Sequence, residues 1–113
     1  MDAASDHHHA TIARMWRART AEADLPAYRT HLEANVFPVL RGIAGYAGAR
    51  LLTRPDGGEV EILVVTWWRS LDAIRAFAGA DVDRAVVDPE VRPLLSAWDE
   101  RVRHYEIALR DEP

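Results

Sequence analysis

Apolar and polar side chains first alternate with a period of two between residues 11 and 19. Ile12, Arg14 and Trp16 fall on one side of an extended backbone, with Ala13, Met15 and Arg17 on the other, which predicts a first strand. Leu25, Tyr28, Leu32, Val36 and Leu40 then recur at helical spacing behind Asp24 and Pro26, a capping residue and a helix-starting proline. A long first helix is expected. Pro38 removes a backbone donor and clashes with the preceding turn, so that helix should end irregularly, and Gly42 and Gly45 lead the chain out of it.

Residues 46–54 read as a second strand, joined by the turn sequence Pro55-Asp56-Gly57-Gly58 to a third strand over 59–68. Ser70 caps a second helix with Leu71, Ile74 and Phe77 on its buried side, and Gly79 ends it. A short helical piece is predicted over 83–87. Asp88-Pro89-Glu90 looks like a fresh helix start, with Val91, Leu94, Leu95 and Trp98 as its apolar stripe. Alternation over 102–109 predicts a last strand. The order is that of an α+β, ferredoxin-like βαββαβ fold, with a four-stranded antiparallel sheet covered by helices on one face. The bare face of such a sheet is normally polar. Here Leu63, Val65 and Trp67 follow one another on it, so a second copy of the chain is the expected cover, and a homodimer the expected assembly.

Composition narrows the picture. At 113 residues, 49% hydrophobic and 28% charged, the chain fits one folded domain over 11–110 behind a short N-terminal tail, residues 1–10. It contains no cysteine, which excludes disulfides, thiolate metal sites and a cysteine nucleophile. The net charge of −4, with arginines scattered rather than striped, argues against nucleic acid as a partner. No segment is long and apolar enough for a membrane span, and the start lacks a secretory pattern, so a cytoplasmic home is expected. His7-His8-His9 reads as a solvated tail or a purification remnant, without a function.

Ala13-Arg14-Met15-Trp16-Arg17 in the first strand, residues 68–79 after the third, and His104-Tyr105-Glu106-Ile107 near the end together resemble the antibiotic biosynthesis monooxygenase-like domains of the dimeric α+β barrel superfamily. The resemblance spans 11–109. It implies a dimeric barrel and activities that range over cofactor-free oxygenases of aromatic polyketides, haem degraders and small-molecule isomerases, a spread that fold alone does not narrow. The haem-degrading members use an Asn on the first strand, a Trp on the second helix and an iron-binding His ten residues later. In this sequence those last two positions are Phe77 and Val87, and the first strand has no Asn. The quinone-forming members use an Asn and a Trp near the end of the third strand. Trp68 is the counterpart of that Trp, but Asn35, on the first helix, is the only asparagine.

His31 follows Tyr28 by three residues and precedes Asn35 by four, so the three share one helix face. Such a trio can line a pocket, with His31 as the general base for an activated phenol; a histidine making ordinary hydrogen bonds is the plainer alternative. Trp16 and Trp68 can stack a planar ligand, or be simple core. Arg14, two residues from Trp16 on the same face, needs a partner: a salt bridge, or the anion of a bound substrate. His104 and Glu106 share a face of the last strand and can pair with each other, with arginines on a neighbouring strand or across the dimer contact, where a structural role is favoured. The expectation is a cofactor-independent, metal-free monooxygenase acting on a small apolar, aromatic or polyketide-like molecule. Its catalytic residues are His31 and Arg14, and Trp68, Trp16, Tyr28 and Asn35 bind the substrate. The rival readings are a non-catalytic ligand-binding or stress-related barrel and a haem-binding protein.

Overall fold

A computed structural model describes residues 10–113; residues 1–9 of the expected tail, with the histidines at 7–9, lie outside the described residues, whereas Ala10, placed in that tail, is buried in the fold. The elements are β1 (Ile12–Ala21), α1 (Leu25–His31), a wider π turn (Leu32–Val36), α2 (Phe37–Arg41), β2 (Tyr46–Asp56), β3 (Glu59–Trp68), α3 (Leu71–Ala78), β4 (Leu95–Trp98) and β5 (Arg103–Glu106). The strands form one antiparallel sheet in the order β2-β3-β1-β4, with β5 also on β1. This is the ferredoxin-like α+β arrangement.

Pro38 shapes the first helix as expected, but without breaking it. The ring lies at the start of α2, and the π turn before it places the Phe37 N–H on the Leu32 carbonyl, so the helix continues past the missing donor. Asp24 precedes α1 without a side-chain capping bond. Ser70 does cap α3: its Oγ accepts from the Ala73 N–H at 3.1 Å. Asp56 pairs with Glu59 across a two-residue turn whose glycines, Gly57 and Gly58, have φ of 58° and 85°, the positive values that a hairpin of this type requires.

The predicted helices over 83–87 and from Pro89 onward do not form. Pro93 stands inside the second of them, where it lacks the N–H and crowds the turn before it, so only the 3-10 turn Arg92–Leu94 survives. Leu95–Trp98 then becomes β4, because the free edge of β1 offers its backbone groups: Ala18 pairs with Trp98 and Thr20 with Leu95. The last strand is accordingly split. β4 covers one end of β1 and β5 the other, with residues 99–102 looping out between them. Around 83–87 the backbone groups bond to that loop instead of to a helix: Ala85 N–H to Glu100 O at 2.9 Å and Val102 N–H to Asp83 O at 2.7 Å.

Alternate residues of β1 and β3, among them Ile12, Ala18, Ile62 and Trp68, are buried beneath the helices. They form two clusters, one around Trp68, Leu40 and Ile74, the other around Tyr28, Leu32, Ile62 and Val91. The opposite face carries half-buried Met15, Leu63 and Trp67 around Val65, with Leu52 and Tyr105 each 49% exposed.

Candidate functional site

Where the two clusters meet, a cavity of about 130 Å³ opens between helix and sheet. Arg14, Trp16, Val64 and Thr66 form its floor, Tyr28, His31, Asn35 and Phe37 its helical side, and Phe77, Val87 and Asp88 its remaining wall. A cavity of this size takes about one aromatic ring. The helical trio read from the sequence does converge: Tyr28 is 2% exposed, its ring centroid 6.5 Å from that of His31, and Asn35 sits at the exposed mouth. Burial raises the Tyr28 pKa, which keeps its hydroxyl protonated.

His31 is gripped from both sides. Its Nε2 lies 3.4 Å from Asp88 Oδ2 and its Nδ1 3.2 Å from Asn35 Nδ2. A carboxylate only accepts, so in the neutral imidazole Nε2 carries the proton and Nδ1 holds the lone pair against the Asn35 amide. That lone pair is the one ring position at which His31 can accept a proton.

Arg14 is 5% exposed and, among the described residues, no carboxylate lies within ion-pair distance of its guanidinium, so the expected salt bridge does not form and two carbonyls and an imidazole take its place. Nη1 donates to the Val82 carbonyl and to His104 Nε2, and Nη2 to the Arg84 carbonyl at 2.9 Å, while the guanidinium carbon stands 5.7 Å from the Phe77 ring centre. Burial lowers its pKa to about 10, with the Asp83 charge opposing, and it remains a cation at neutral pH. Of the pairings expected for His104, the one with an arginine on a neighbouring strand forms: it reaches Arg14 of β1 on the helix-covered side rather than Glu106 or a dimer contact. Arginine only donates, so His104 accepts at Nε2 and donates from Nδ1 to Asp83 Oδ1 at 3.0 Å.

Trp16 lines the cavity, its Nε1 donating to the Asp99 carbonyl at 2.7 Å. Trp68 does not line it. The ring is fully buried behind Thr66, to whose Oγ1 its Nε1 donates at 2.7 Å, and it packs between Tyr46 and Phe77. Thr66 and Asp88 escaped the sequence reading. Thr66 reaches the cavity by its place opposite Arg14 in the sheet register, and Asp88 through the irregular segment that was read as helical.

The fold and cavity define a small ferredoxin-like domain with a mostly apolar cavity between its helices and its sheet. Its sequence matches the antibiotic biosynthesis monooxygenase family over residues 11–88, and the chain belongs to that family. No curated protein sequence matches it. Among solved structures it is similar to a Bacillus cereus protein described as a candidate antibiotic biosynthesis monooxygenase (TM-score 0.61, 12% identity, 92% of this chain and 99% of that one). It is also similar to the haem degrader MhuD of Mycobacterium tuberculosis with two haems in its active site (0.59, 24%, 89% and 99%). A third is the ActVA-Orf6 monooxygenase of Streptomyces coelicolor with nanaomycin D (0.58, 17%, 94% and 93%).

The residues present do not fit a haem. A rigid macrocycle exceeds a cavity of about 130 Å³, and the wall position that the resemblance gives to the iron ligand is Val87. Among the described residues no three His, Asp or Glu side chains cluster as a metal site.

Proposed function

We propose that the chain is a cytoplasmic, homodimeric, cofactor-independent monooxygenase of a small aromatic or polyketide-like molecule. The observation that carries the reading is the joining of the His31 lone pair and the Arg14 cation to one apolar, ring-sized cavity. The substrate hydroxyl displaces the Asn35 amide and gives its proton to His31 Nδ1. Arg14 stabilises the resulting anion, and Trp16 and Phe37 pack its ring. Dioxygen is the oxidant. In an anthrone-type substrate, whose hydroxyl-bearing ring enters the cavity while its other rings project through the open mouth beside Asn35, the ring methylene gives up both hydrogens and four electrons. One oxygen atom becomes its carbonyl and the other leaves with the hydrogens as water.

Oxygen uptake with an anthrone-type phenol tests this. Uptake above background that falls by roughly a hundredfold in His31→Ala is expected. No uptake, or uptake unchanged in that variant, rejects the reading. A non-catalytic ligand-binding barrel is the second reading. It is favoured by the fact that Asn35, Asp88 and three protein acceptors already occupy the polar groups of the cavity. Saturable binding of such phenols without oxygen uptake distinguishes it.

A further inference from the structure

The cavity has a neighbour. On the far side of residues 84–87 lies an open hollow of about 680 Å³, lined by Phe77, Val86, Val87 and Trp98 on its apolar side and by Arg84, Arg92, Arg101 and Glu100 on its polar side. Phe77, Val86 and Val87 line both spaces, so a septum of three apolar side chains separates them. The inner cavity alone is small for a ligand site, which usually offers about 300–1,000 Å³. With the outer hollow it reaches that range.

The two spaces differ in charge. Arg101 is held by Asp81 in a two-pronged ion pair at 2.7 and 3.1 Å. Arg84 and Arg92 form no ion pair with a described carboxylate within 4 Å, and Arg92 reaches only the Val87 carbonyl, at 3.5 Å. Glu100 offsets one of these charges and Asp81, which neutralises Arg101, is also felt by Arg84, so the lining keeps an excess of one positive charge, with Arg92 the cation farthest from a partner among the described carboxylates. The backbone of Arg84 is pinned by Arg14, from whose Nη2 its carbonyl accepts, while Arg84 itself lines the outer hollow.

We propose that the hollow is the outer subsite of one elongated ligand site. Its ligand is an amphipathic organic anion, with an apolar ring in the inner cavity and a carboxylate, sulfonate or phosphate held by Arg84 and Arg92. Guanidinium groups suit such oxyanions because their paired N–H groups match two oxygens at once. The proposal rests on the reading of the inner cavity as the ligand site, and it names the class of molecule that site takes.

Two dyes of identical hydrocarbon test it: 8-anilinonaphthalene-1-sulfonate, and N-phenyl-1-naphthylamine, which lacks the sulfonate. The anionic dye should bind the full chain at least tenfold more tightly than the neutral one. Arg84→Gln combined with Arg92→Gln, both exposed and safe for folding, should weaken the sulfonate at least tenfold and leave the neutral dye within twofold. Raising the salt should weaken only the sulfonate. Val87→Trp, which fills the septum, should displace both dyes. If the neutral dye binds and the sulfonate gains nothing over it, or the arginine variants weaken both dyes equally, the anionic subsite falls alone. If neither dye binds, or Val87→Trp leaves both untouched on another surface, this proposal and the inner-cavity reading fall together.

Discussion

Arg14 Nη1 and His104 Nε2 stand 2.9 Å apart, so a buried cation is fixed by an imidazole that must stay neutral to hold it. Burial, aided by the Arg14 charge and opposed by the bond from Asp83, lowers the His104 pKa below the ordinary histidine value. The unfolded chain therefore binds the proton first. Stability should be complete above the ordinary histidine range and decline as pH falls through that range towards the lowered folded value. Urea midpoints between pH 8 and pH 5 measure this. His104→Gln, which can still accept from Arg14 without titrating, should flatten the decline; parallel curves for the two proteins would contradict the assignment.

Thr66 Oγ1 is the acceptor for the indole N–H of fully buried Trp68. Thr66→Val keeps the shape and strands that donor, at a cost of about 1–3 kcal/mol. Chemical denaturation should show the loss. A Val variant as stable as wild type would mean that the indole finds another acceptor.

Gly45 has φ of 94°, and a Cβ there would lie 2.6 Å from the Ala73 Cβ. Gly45→Ala should cost about 2 kcal/mol or more through backbone strain and the clash with α3. Ala73→Gly in the same chain removes the clash but not the strain. The double variant should therefore regain part of the stability lost to the Gly45 change, as read from its denaturation midpoint against Ala73→Gly alone.

The helix-free sheet face carries Leu52, Leu63 and Trp67 around Val65. In the proposed homodimer, paired substitutions Leu52→Glu and Leu63→Glu should halve the mass seen by light scattering while the circular dichroism stays folded. A wild-type mass equal to one 12.7 kDa chain at micromolar concentration would remove the dimer itself.

The periodic parts of the chain carried their own instructions: the alternation in β1 and β3, the Leu25-Tyr28-Leu32 stripe and the Gly57-Gly58 turn each state their structure locally. The trio Tyr28, His31 and Asn35 was legible for the same reason, since helical spacing fixes a shared face. Residues 80–98 were not. Val91, Leu94, Leu95 and Trp98 mimic a helical stripe, yet Pro93 and the unpaired edge of β1 decide against it, and the second of these is a long-range fact. That stretch carries Asp88 and the carbonyls of Val82 and Arg84, so these partners of His31 and Arg14 were not legible.

The split in the edge strand also couples the sheet to the cavity wall. The loop at 99–102 holds the 83–87 segment through the amides of Ala85 and Val102, and that segment bears the septum residues Val86 and Val87. A ligand that parts the septum must loosen this seam, so its arrival should be written into the hydrogen-exchange rates of those two amides while the central β1–β3 ladder keeps its protection.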